Sequence, residues 1–125
     1  MDRVRFINHA GKRVLLIDSS NCTPEQGLRI ANEALLLVTL EPPNSVLILI
    51  DLTGAQVSRE SVARAKEVAV LNRPYVKRSA LVGAESLPNA FYEAIKRFSK
   101  RDFPRFNTRE EALDWLVAEE RLAAS

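Results

Sequence analysis

Two short polar stretches carry hydroxyls beside carboxylates, Asp18-Ser19-Ser20-Asn21 and Asp51-Leu52-Thr53-Gly54. Each follows an apolar run, so each leaves a strand, and ligands of open α/β sheets gather at the carboxyl ends of strands. The two stretches are therefore expected to share a polar rim. A nucleophile at Ser19 or Ser20 would need an imidazole base. The only histidine, His9, falls in a hairpin turn that faces the other way, so hydrolase chemistry has little support and His9 is read as an exposed turn residue. Cys22, the single cysteine, precedes a helix start, where the dipole favours a thiolate, but the chain holds no second thiol to resolve an oxidised one. It is read as a small residue packing a loop. One cysteine and one histidine exclude an internal disulfide, a Cys-rich zinc site and a two-histidine metal site. No catalytic residue, metal ligand or cofactor is assigned.

A second constellation interleaves Phe91, Tyr92, Phe98, Phe103 and Phe106 with Lys96, Arg97, Lys100, Arg101 and Arg105. A basic, aromatic-edged surface suits an anionic membrane, a lipid or an acidic protein, which makes Tyr92, Lys96, Arg97, Lys100, Arg101 and Phe103 the candidate ligand or membrane surface. The simpler account turns Phe91, Ile95 and Phe98 to the core and the cations to solvent, with Tyr92 and Phe103 undecided.

The elements that position these groups follow from periodicity and punctuation. Val4 and Phe6, then Val14 and Leu16, alternate on either side of Asn8-His9-Ala10-Gly11-Lys12 and predict an N-terminal hairpin. Thr23, Pro24 and Gln26 supply a cap, a first-turn proline and a capping-box partner for a helix carrying Leu28, Ala31, Leu35 and Val38 and running to about Leu40. Val46 to Ile50 is apolar at every position, as in a central strand covered on both faces. Ser58 caps a helix with Val62, Ala65 and Ala69 that stops before Asn72-Arg73-Pro74. Tyr75 to Gly83 reads as the next strand, and Ser86-Leu87-Pro88 opens the helix of Phe91 and Ile95. Pro104 confines Phe103 to Phe106 to a short edge strand, and Thr108-Arg109-Glu110-Glu111 opens a last helix with Leu113, Leu116 and Val117 inward. The order ββαβαβαβα predicts an α/β fold with a mostly parallel five-stranded sheet and four helices.

With 125 residues, 46% hydrophobic and 27% charged, the chain has a globular composition and room for one domain, 1–125, with 118–125 expected to fray. A net charge of +2 is too small to argue for nucleic acid. The apolar runs Ala34 to Val38 and Val46 to Ile50 are far short of the roughly 20 residues that span a bilayer. The opening residues lack the apolar core of a signal peptide, so a cytoplasmic location is expected.

The element order, with Asp51-Leu52-Thr53-Gly54 after the central strand, Asn72-Arg73-Pro74-Tyr75-Val76-Lys77 before the next and Asn107 to Leu116 at the end, resembles the SpoIIAA-like branch of the STAS fold, a group of small bacterial single-domain proteins. The resemblance covers nearly the whole chain. It implies a non-enzymatic fold shared with anti-sigma-factor antagonists and sulfate-transporter tails and akin to lipid-binding CRAL-TRIO domains. In the antagonists a partner kinase phosphorylates a serine after the central strand, and Thr53 stands at that position here. Asp18, Ser19, Asp51, Gly54 and Ser58 would form the polar loops around it. Leu52 departs from the small polar residue of that pattern, and Gly54-Ala55-Gln56-Val57 delays the helix cap to Ser58.

The functional expectation is thus a non-enzymatic interaction or regulatory module, switched by phosphorylation at Thr53, with a kinase or regulatory protein as partner. The alternative is a carrier or sensor of a lipid or small apolar ligand, with Tyr75, Tyr92 and Phe103 as the side chains that would swing aside. An α/β unit of this length is expected to fill its core, whereas a lipid needs an apolar cleft on the order of 300 Å³. Weak self-association as a symmetric homodimer is expected through a sheet edge, the hairpin strand of Val4 and Phe6 being less protected than the Pro104 segment.

Overall fold

In the computed structural model, which describes residues 2–124, the chain runs as β1 (Val4–His9), β2 (Lys12–Asp18), α1 (Pro24–Val38), β3 (Val46–Asp51), α2 (Arg59–Asn72), β4 (Val76–Val82), α3 (Asn89–Ser99), β5 (Arg105–Phe106) and α4 (Arg109–Ala124). A short 3-10 turn, Ala84–Ser86, precedes α3. The strands form one sheet in the order β1-β2-β3-β4-β5. Only β1 and β2 are antiparallel, joined through Ala10 and Gly11, both at positive φ, the two-residue geometry that matches strand twist.

Because the strands advance across the sheet in sequence order, right-handed crossovers put α1, α2 and α3 on the same face. Side-chain alternation divides the core accordingly. Leu15, Ile17, Val46 and Ile48 meet Ile30, Ala34 and Val38 of α1, while Leu81 meets Ala69 of α2 and Phe103. On the opposite face Val14, Leu16, Leu47, Leu49, Ala80 and Val82 pack against Ala112, Leu116 and Val117 of α4. Strand β3 is thereby covered on both sides, as its unbroken apolar run requires.

Local chemistry sets the helix starts as expected. Thr23 and Gln26 form a reciprocal capping box on α1, Ser58 and Ser61 one on α2, and the Thr108 hydroxyl accepts from Glu111 N at 3.1 Å on α4. Three faces differ from expectation. The buried stripe of α1 is Ile30, Ala34 and Val38, and the helix ends at Val38. That of α2 is Ser61, Val68, Ala69 and Asn72. In α3 it is Ser99, bonded to Ile95 O at 2.7 Å, that turns inward, and Phe98 is 55% exposed with Lys66 Nζ 5.2 Å from its ring centroid. A three-residue step and a four-residue step both continue a helical stripe, so periodicity alone could not choose between Phe98 and Ser99. Helix α4 continues through 118–124, the stretch expected to fray; Ser125 lies outside the described residues.

Candidate functional site

Asp18 and Asp51 end neighbouring parallel strands in register. Two carboxylates at adjacent strand ends repel unless a cation joins them, and Arg109 of α4 does so, with Nε 2.7 Å from Asp51 Oδ2 and Nη2 3.2 Å from Asp18 Oδ1. Thr53 N donates to Asp51 Oδ1 at 2.9 Å, and the Ser20 hydroxyl donates to Asp18 Oδ1 at 2.6 Å. Burial raises the Asp51 carboxyl, but the Thr53 and Arg109 hydrogen bonds outweigh it and hold the group below its ordinary range. Asp18 is held low in the same way, by Ser20 and then Arg109 acting against burial. Backbone bonds from Ser19 N to Asp51 O and from Asn21 N to Thr53 O, at 2.9 and 2.8 Å, lace the two loops into the expected rim.

Within this rim Thr53 is exposed in a turn ahead of Ser58, whose hydroxyl caps α2, so it lies on a loop and not at a helix start. Gly54 has φ +68° and lies against the Asn21 side chain, where a Cβ would collide. Ser19 is buried, and the rim contains no imidazole: His9, expected as an exposed turn residue, ends β1 half-buried, with Nε2 2.7 Å from Asp114 Oδ1 of α4. Cys22 is buried and burial pushes its thiol up, consistent with the packing role. Among the described residues no group of His, Cys, Asp and Glu is gathered that could hold a metal ion.

The second feature lies under the three helices. A cavity of about 150 Å³ is bounded by the α1, α2 and α3 face of the sheet, with Ile50, Leu52, Ala65, Leu81, Phe91 and Ile95 among its walls. The filled core expected from chain length is not what forms. Small residues line the cavity from both sides, Gly27, Ala31 and Ala34 on α1 and Ala65 and Ala69 on α2, so little side-chain volume projects into the space. Its polar atoms are few. Ser19 and Ser61 lie toward the carboxyl ends of the strands, and Asn72 and Arg101 line it from the last turn of α2 and the end of α3. Asn72 is 3% exposed and its Oδ1 has no hydrogen-bond partner.

The basic-aromatic constellation is split by the fold. Phe103 is buried, and Tyr92 donates its hydroxyl to Phe103 O at 2.7 Å; both line the cavity, whereas Tyr75 does not. Lys96, Arg97 and Lys100 stay outside, beside Glu93 and Asp102 on a shallow surface that Arg101 also borders. Sequence reasoning missed Arg109 and Asn72 as site residues. The available signals were a cation in a helix first turn, where the dipole disfavours it, and an amide continuing an apolar helical stripe.

Among solved structures, the chain is similar to an uncharacterised protein of the DUF3478 family with a SpoIIAA-like fold from Shewanella loihica PV-4. The TM-score is 0.70 at 18% sequence identity, over 90% of this chain and 91% of that one. The chain thus has a SpoIIAA-like fold, as its element order implied. No protein-family model and no curated protein matches it. Among the described residues no helix is long and apolar enough to cross a membrane.

Proposed function

We propose that this chain is a binding module that holds a small, mostly apolar ligand between its sheet and helices α1, α2 and α3. The cavity carries this reading. It is a partly open space of about 150 Å³ lined mainly by apolar side chains, and covering such a surface is favourable. A ligand of about one aromatic ring or a short alkyl chain fits such a volume; a whole acyl lipid does not. Native mass spectrometry of protein purified without detergent should show a retained small molecule, or titration with 1-hexanol should move NMR signals of Ile50, Leu81 and Ile95 saturably. A bare mass together with no saturable shift overturns the reading.

A second reading, contact with a protein partner switched at Thr53, is favoured by one observation: Thr53 is exposed beside the Asp18–Arg109–Asp51 bridge. A phosphate there would repel Asp51 and compete for Arg109, loosening the anchor of α4. Intact mass of protein isolated from its own cells should then show phosphate on Thr53, and only unmodified chain would dismiss it.

A further inference from the structure

Arg101 is placed unlike the other cations beside it. Lys96, Arg97 and Lys100 are exposed, whereas Arg101 turns inward, with Nη1 donating to Ala69 O at 3.1 Å, Nη2 donating to the Ser79 hydroxyl and the guanidinium carbon 4.7 Å from the Phe103 ring centroid. Every one of these partners is neutral. Among the described residues no carboxylate forms an ion pair with Arg101, and burial alone pulls its pKa down to about 10. A guanidinium has five N–H donors, so two protein bonds leave donors unspent on a partly buried cation. Arg101 also lines the apolar cavity, together with the unpartnered, buried Asn72 Oδ1. Ala69, whose carbonyl Arg101 holds, stands one helical turn before Asn72 on α2, so both polar groups belong to the same end of the cavity.

We propose that the cavity ligand is an amphipathic carboxylic acid, its carboxylate paired with Arg101 and its short alkyl or aryl tail filling the space between α1, α2, α3 and the sheet. The inference rests on the ligand-binding reading above and adds the charge of the ligand. A carboxylate matches the planar donors of a guanidinium and supplies a counter-charge on the cavity side, where no described Asp or Glu lines the space. Asn72 Oδ1 accepts from a hydroxyl near the acid group or from water carried in with it. On the surface outside the same guanidinium Lys96, Arg97 and Lys100 outnumber Glu93 and Asp102, a small net bias toward anions.

The test compares hexanoate with 1-hexanol, one chain length with and without the charge, on the full-length protein at neutral pH by NMR titration and calorimetry. Hexanoate should bind about tenfold more tightly or better, the scale of a charge-assisted hydrogen bond. In Arg101→Met, which keeps an apolar stem in place, that preference should vanish while hexanol binding survives, and Arg101→Lys should restore part of it. Equal or tighter binding of 1-hexanol by the unmodified protein overturns the carboxylate assignment and leaves the cavity reading standing. No saturable binding of either compound overturns both. The comparison on the unmodified chain decides the matter even if Arg101→Met fails to fold.

Discussion

Asn72 and Arg109 show how single side chains divide between function and stability. An amide oxygen buried without a partner costs about 1 to 3 kcal/mol, so Asn72→Leu, of the same branched shape and with the cavity beside it to take the larger methyl groups, should stabilise the ligand-free protein by about 1 to 2 kcal/mol in urea unfolding. A loss of stability would mean that the amide is already satisfied in solution. Arg109 has the opposite sign. Asp51 and Asp18 are both held below the ordinary carboxylate value of 3.8, so their contribution is complete above that pH and is lost as pH falls through the lower folded values. Arg109→Met leaves two facing carboxylates unbridged. It should lower stability at neutral pH by about 1 to 2 kcal/mol, a modest figure because the guanidinium is 38% exposed and partly screened. It should also move the acid-unfolding midpoint upward. An unchanged midpoint in pH-dependent circular dichroism would show that the bridge contributes nothing.

At the scale of elements, the turns after β3 and β4 depend on each other. Leu52 N donates to Val82 O at 2.7 Å, and Gly83 follows at φ +76°, with Thr53 occupying the space a Cβ would need. A Cβ at Gly83 meets both a disfavoured backbone conformation and the Thr53 main chain. Gly83→Ala should therefore cost roughly 1 to 3 kcal/mol and displace the amide signals of Thr53 and Gly54. Undisturbed signals there would show that the two turns are independent. Helix α4 is held on the other face by Leu116 and Val117 and by a tilted stack of Trp115 on Phe106, with ring centroids 5.5 Å apart, so it closes the sheet without touching the cavity.

At the scale of the whole molecule, the cavity is the property that burial energetics oppose. Ala65→Leu on α2 adds apolar volume at its wall. If the space serves a ligand, this variant should raise the unfolding free energy by about 0.5 to 2 kcal/mol and abolish hexanoate binding together. Thermal unfolding and titration on the same sample check both halves. Stabilisation with binding intact would place the ligand elsewhere.

The order of elements, the coverage of β3 on both faces and the three hydroxyl caps were legible in the sequence because they depend on local signals: an unbroken apolar run, a Thr or Ser before a helix, a proline that stops one. The rim was legible in part, since Asp18 and Asp51 each end an apolar strand. Arg109 was not, because the contact joins residues 58 apart in sequence and is made by the return of α4 beneath the sheet. The cavity was hidden for a related reason. Alanines at 31, 34, 65 and 69 look like ordinary helix formers, and only the packing of α1 and α2 over the sheet shows that they line one space. Arg101 reads in sequence as one more surface cation between Lys100 and Asp102. It is the left-handed turn at Lys100, φ 56°, after the end of α3, and the burial of Phe103 that carry its guanidinium inward, and such a reversal of direction is decided by tertiary packing.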